Sequence, residues 1–116
     1  MALTRAFRQT IQRRVQRDPR FARALLGEAV QAMVSGEVEA GKSLARDYIN
    51  STLGFEALGE RVGIPAKSLM RMFSESGNPQ ARNLFAVLEA LQREAGIRLQ
   101  VVPSGRTRRP EGRTES

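Results

Sequence analysis

Residues 55–78 read FEALGERVGIPAKSLMRMFSESGN, and this stretch decides how the rest of the chain is read. Residues 55–62 have helical spacing, with small Gly59 where a second helix has to pass close by. Gly63 offers the positive φ that a tight corner requires, and Ile64 plugs that corner. Pro65 suits the first turn of the next helix, where its missing N–H leaves nothing unpaired. That helix runs through AKSLMRMFS, turning Leu69, Met72 and Phe73 inward and leaving Ala66, Lys67, Met70 and Arg71 outward with Ser68 at their flank. The pattern predicts a helix-turn-helix. Lysine, arginine, hydroxyl and small apolar groups on one exposed helix are the chemistry a DNA major groove accepts. Two short amphipathic helices joined by glycine also occur in bundles that bind no nucleic acid, so spacing alone leaves both readings open.

Working outward, the 116 residues and 41% hydrophobic content fit one modest globular domain with tails. A formal charge of +7 and a pI near 11.4 favour a polyanionic partner. The charge is uneven. Residues 1–23 hold seven arginines against the single Asp18, a local +6, and residues 103–116 hold four arginines against Glu111 and Glu115, a local +2. The middle of the chain, which contains the helix-turn-helix, is therefore close to neutral. With no cysteine there is neither a disulfide framework nor a thiolate nucleophile. With no histidine the commonest general base and metal ligand is missing too. The composition predicts a protein that is not an enzyme and needs no metal or cofactor. No apolar run approaches the roughly 18 residues a bilayer span requires, and the N-terminus lacks the apolar core of a secretory signal, so a cytoplasmic location is expected.

Taken in order, Leu3, Phe7, Ile11 and Val15 recur every four residues between arginines, which predicts a basic amphipathic helix within residues 1–20. Such a helix could face phosphates, an acidic membrane surface, a partner protein or only solvent. Asp18 and Pro19 then cap and open a second helix with Phe21, Leu25, Leu26, Ala29, Val30, Met33 and Val34 on its apolar side. A third helix follows the break at Ser35 and Gly36, with Leu44, Ala45, Tyr48, Ile49, Thr52 and Leu53 on one face and Gly54 as its C-terminal cap. Asn78 and Pro79 repeat the cap-plus-proline signal for a last helix beginning at Pro79, its core face carrying Leu84, Phe85, Val87, Leu88 and Leu91. Gly96 ends it. Ile97, Leu99 and Val101 then alternate with polar residues, the signature of a half-buried strand that must pair outside its own fold, most simply with a second copy. Residues 103–116 have the composition of a disordered basic tail.

Residues 36–43, GEVEAGKS, also fit the phosphate-loop pattern of two glycines five apart followed by lysine and serine. Such a loop needs a buried strand before it, and the preceding residues have helical periodicity instead. Glu37 and Glu39 would confront a triphosphate, and neither Asp18 nor Asp47 follows an apolar strand where it could hold magnesium. The better reading makes this stretch a helix start with Lys42 exposed, and keeps nucleotide binding as a remote alternative.

The segment LGERVGIPAKSLMRMF, the turn SGNP and a leucine-spaced helix running into IRLQV together resemble HigA-type addiction-module antidote proteins, small regulators with a phage-repressor (Xre-type) helix-turn-helix. The resemblance extends over residues 21–102. It implies an all-α, phage-repressor-like helix-turn-helix bundle with extra N-terminal helices and one short C-terminal β-strand. It also implies a dimeric DNA-binding repressor of its own operon that neutralises a RelE/ParE-like toxin, and pairing of two copies through the strand about a two-fold axis would make its double-stranded DNA site near-palindromic. Carried over by position, Ala66, Lys67, Ser68 and Arg71 would meet bases and phosphates, and Ser76, Gly77, Asn78 and Gln80 would approach the DNA backbone; the outward-facing Met70 is added to the DNA-contact set from spacing alone. Ile97, Leu99 and Val101 would join the dimer. Glu56 departs from a phosphate-binding helix start, and the basic first helix is less general in the family. A protein-binding antitoxin with little specific DNA binding is the alternative the sequence leaves open.

Overall fold

The computed structural model describes residues 5–105, which form six helices and no strand. They are α1 (Arg5–Arg17), α2 (Pro19–Val34), α3 (Val38–Ser51), α4 (Gly54–Val62), α5 (Ala66–Met72) and α6 (Ala81–Ala95). Leu3, and the tail from residue 106 onward, lie outside the described residues.

Local chemistry explains most of the boundaries. Asp18 ends α1 and caps α2, its Oδ1 accepting from the N–H groups of Arg20 and Phe21 at 3.1 and 3.2 Å. Pro19 opens α2 as expected. Several boundaries differ from the sequence reading. Gly54, with φ 84°, opens α4 instead of closing α3, and α6 begins at Ala81 behind Gln80, two residues after Pro79.

α1 and α2 pack on α3, and α3 in turn meets α4, which carries α5 and α6. One core runs through all six helices, from Val15 on α1 through Leu26, Ala45, Ile49 and Leu58 to Leu69 on α5 and Leu91 on α6. Each fully buried leucine of this set contributes about 1.5–3 kcal/mol relative to exposure. An ion pair of 2.5 Å between Arg61 and Glu94 closes the rim between α4 and α6.

Three apolar residues expected on buried stripes are outside, among them Phe7 of α1 at 50% exposure. Phe85 is 64% exposed and Val34 67%. Leu84, Val87, Leu88 and Leu91 already define the buried stripe of α6, and at 3.6 residues per turn Phe85 lies about 110° from its centre. The predicted C-terminal strand is absent as well. Residues 97–102 follow Gly96, which ends α6 with φ 69°, but no chain segment pairs with them as a ladder. Ile97 and Leu99 instead pack against the helical core, and the Leu99 N–H donates to Gln92 Oε1 at 2.8 Å. The period-two pattern is thus satisfied by laying alternate side chains on helices, and Val101 and Val102 run off that surface into solvent.

Candidate nucleic-acid interface

The outward side of α5 is the place to which the sequence assigned DNA contact. Its construction begins at the corner before it. Gly63 adopts φ 73°, a left-handed conformation that costs a residue with Cβ about 1–2 kcal/mol. Its N–H donates to the Gly59 carbonyl at 2.8 Å, as does that of Ile64 at 3.2 Å. Gly59 itself has no room for a side chain, since a Cβ there would lie 2.6 Å from the Ile64 carbonyl oxygen and 3.3 Å from the Ala66 nitrogen. Pro65 sits one position earlier than expected, as the residue capping α5, with φ −57° and ψ 143°. These features bring α5 directly across α4. Leu69 and Phe73 are fully buried beneath it, and the Phe73 ring lies 6.3 Å from that of Phe55.

The other side of α5 is open. Lys67, Met70 and Arg71 are exposed, Met70 at 52%, and Ser68 is half-buried at the edge. Ala66 was expected outward but is half-buried against the core, because the close crossing at Gly59 draws in the start of α5. Beside that start a shallow cleft of about 320 Å³ is lined by Glu56, Gly59, Glu60, Gly63, Ile64, Pro65 and Ala66. Two exposed carboxylates therefore flank the beginning of α5, where Lys67 is the second residue, and Arg71 lies one turn farther along. Lys67 and Arg71 are the two cations of α5.

The end of α5 is held by two residues whose role sequence reasoning missed. Lys42, expected to be exposed, is 2% exposed. Its Nζ donates to the carbonyl oxygens of Ser74 at 2.8 Å and Gly77 at 2.6 Å, and pairs with Glu39 at 3.0 Å. Arg46, one turn on, donates to the Phe73 carbonyl at 2.7 Å. Two α3 cations thus take carbonyls that the end of α5 leaves without helical partners, the arrangement a helix C-terminus favours. The signal was present in the sequence. Lys42, Ala45 and Ile49 are spaced three and four apart, which places the lysine on the buried face of α3. The same residues settle the geometry of the glycine-rich pattern: positions 38–43 are helical, and Gly41 is pressed against α2, where a Cβ would lie 2.8 Å from the Ala29 carbonyl oxygen.

The turn after α5 carries the remaining sequence-assigned residues. Ser76, Asn78 and Gln80 are exposed, and Gln80 precedes α6 with no side-chain cap on that helix. Gly77 is different. Its N–H donates to the Ser74 carbonyl, its own carbonyl accepts from Lys42, and a Cβ would collide with the carbonyl oxygen of Arg71. Its place is in closing the turn. Ile97, Leu99 and Val101 lie apart from this surface in the chain segment after α6.

Among the described residues no cluster of three or more acidic, cysteine or histidine side chains could hold a metal ion, and no helix is long and apolar enough to cross a membrane. Comparison with protein-family models, curated proteins and solved structures finds no match to this chain.

Proposed function

We propose that the chain is a sequence-specific DNA-binding transcriptional regulator that places α5 in the major groove, and that it serves as the antitoxin of a toxin-antitoxin module. The observation that carries the DNA reading is the division of α5, with Leu69 and Phe73 fully buried and Lys67, Met70 and Arg71 presented together on the opposite side. Lys67 and Arg71 are one turn apart, so both can reach base edges of one groove, while the flanking Glu56 and Glu60 repel phosphates from the start of the helix. Ser76, Asn78 and Gln80 contact the adjoining phosphates. The regulator works without turnover, in the cytoplasm, as a homodimer on a near-palindromic site with half-sites about one helical turn, roughly 34 Å, apart. Since Ile97 and Leu99 lie on the chain's own core, dimer contact falls to Val101 and Val102 beyond them. The antitoxin role and the RelE/ParE-like partner rest on the resemblance of residues 21–102 to HigA-type proteins.

The test is a gel shift on the chain's own upstream DNA with scrambled competitor. Lys67→Ala and Arg71→Ala should each weaken specific binding by about 1–3 kcal/mol and reduce discrimination against the competitor. If both variants bind like the parent, α5 is not the reader.

A further inference from the structure

The charge of the folded chain is concentrated away from α5. Over residues 5–27 seven arginines face one acid, Asp18, whereas residues 28–105 are close to neutral. Asp18 offsets only one of the seven positive charges. Its carboxylate is engaged by the N–H groups of Arg20 and Phe21 and lies 3.6 Å from Arg14, whose guanidinium also stacks 4.6 Å from the Phe21 ring. Arg8 is turned inward toward the buried Asp47 of α3. The remaining arginines of the segment are exposed, with Arg13 and Arg17 one turn apart on α1 and Arg20 and Arg23 continuing onto α2.

This array is held rigidly. Val15 is buried, Ile11 packs on the same core, and Asp18 fixes the elbow between the two helices. That packing also decides between partners. A helix that binds by lying in a bilayer surface needs a broad apolar face, and α1 has committed Ile11 and Val15 to the protein interior, which leaves Phe7, at 50% exposure, as its one exposed large apolar side chain. A phosphate backbone needs only cations, and guanidinium groups bind phosphate with two parallel hydrogen bonds where lysine acts as a point charge. All seven basic residues here are arginine. The 13 residues of α1 extend about 20 Å, and B-DNA carries a phosphate every 3.4 Å or so of axis on each strand, so α1 spans about six.

We infer that the α1–α2 elbow is a second DNA-contacting surface, one that grips the phosphate backbone without reading sequence. It rests on the chain being a DNA-binding protein, but does not require α5 to be its reader. The elbow supplies attraction and α5 supplies discrimination.

The experiment compares the full chain with the triple variant Arg13→Gln, Arg17→Gln, Arg20→Gln, which spares the stacked Arg14 and the inward Arg8. Binding is followed by fluorescence anisotropy over a salt series, on a random-sequence duplex and on the upstream duplex, with circular dichroism confirming equal helix content. Each lost phosphate contact lowers the slope of log K against log salt by about 0.9, so a drop of about 2–3 is expected on both duplexes with their affinity ratio kept. An unchanged slope on random duplex overturns the proposal. Sedimentation with phosphatidylserine vesicles is the second arm. Vesicle binding by the parent that the variant loses, together with an unchanged DNA slope, assigns the elbow to membranes and overturns it as well. If the slope falls as expected while neither the parent nor Lys67→Ala distinguishes the two duplexes, the elbow stands and the α5 reading fails.

Discussion

The corners at the two ends of α5 are built by opposite means. The one before it, at Gly63 to Pro65, is local: a left-handed glycine, a proline at the cap and a small residue in α4 act within seven positions of one another. The one after it, from Phe73 to Gly77, is closed by Lys42 and Arg46, 27 to 35 residues away. A corner specified by its own residues can form early and be read directly. A corner specified by distant donors exists only once α3 is docked, and it makes the orientation of α5 depend on the helix beneath it.

The largest effect is expected at the distant corner. Lys42→Met keeps the buried stem but removes the ammonium, leaving the Gly77 carbonyl without its Lys42 donor and the Ser74 carbonyl with only the Gly77 N–H, and should lower unfolding stability by about 3 kcal/mol in chemical denaturation. Gly77→Ala at the same corner should cost about 1–3 kcal/mol, because the added methyl meets helix-end carbonyls that cannot yield as a side chain would. Gly63→Ala at the local corner should cost about 1 kcal/mol, the strain of one left-handed residue with no steric clash, since nothing lies within 4 Å of its Cβ. Were Gly63→Ala the most harmful of the three, the contrast between a self-sufficient and a dependent corner would collapse.

The smallest effect sharpens the same contrast through pH. Asp18 is a local cap, and its hydrogen bond from the Phe21 N–H, chief among its favourable contacts, holds its carboxyl below the usual range. Its contribution is present above the ordinary carboxylate pKa and fades as pH falls through the lowered value. Asp47 is a tertiary carboxylate, pushed up by burial and only partly offset by Arg8 and Arg46. Its ionised form is a burden at neutral pH that is relieved as acid protonates the folded protein ahead of the unfolded chain. In urea melts across pH, Asp18→Asn should therefore lose most relative to the parent at neutral pH and less in acid. Asp47→Asn should compare best with the parent at neutral pH and lose that advantage on acidification. Parallel pH profiles for the two variants would mean that the buried position of Asp47 does not govern its titration.

Much of the helical framework was legible because its determinants are short-range. Asp18 with Pro19, Gly63 and Gly96 each mark a boundary through the backbone conformation or hydrogen bond they permit, and Leu69 and Phe73 announce the buried side of α5 by spacing alone. The candidate surface of Lys67, Met70 and Arg71 was legible for the same reason, as the complement of that buried side. Phe85 and Val34 misled because hydrophobicity was allowed to widen a stripe that helix geometry keeps narrow.

What only the tertiary structure decided is where long-range partners go. Spacing can turn Lys42 toward the buried face of α3, but its acceptors, the Ser74 and Gly77 carbonyls of the turn after α5, are brought to it only by packing. An alternating segment reads as a strand until the helices offer grooves for Ile97 and Leu99 and a side-chain acceptor for the Leu99 N–H. Sequence periodicity states which faces and backbone groups need a partner. Which partner satisfies them depends on contacts between residues far apart in the chain, and those exist only after the helices have packed.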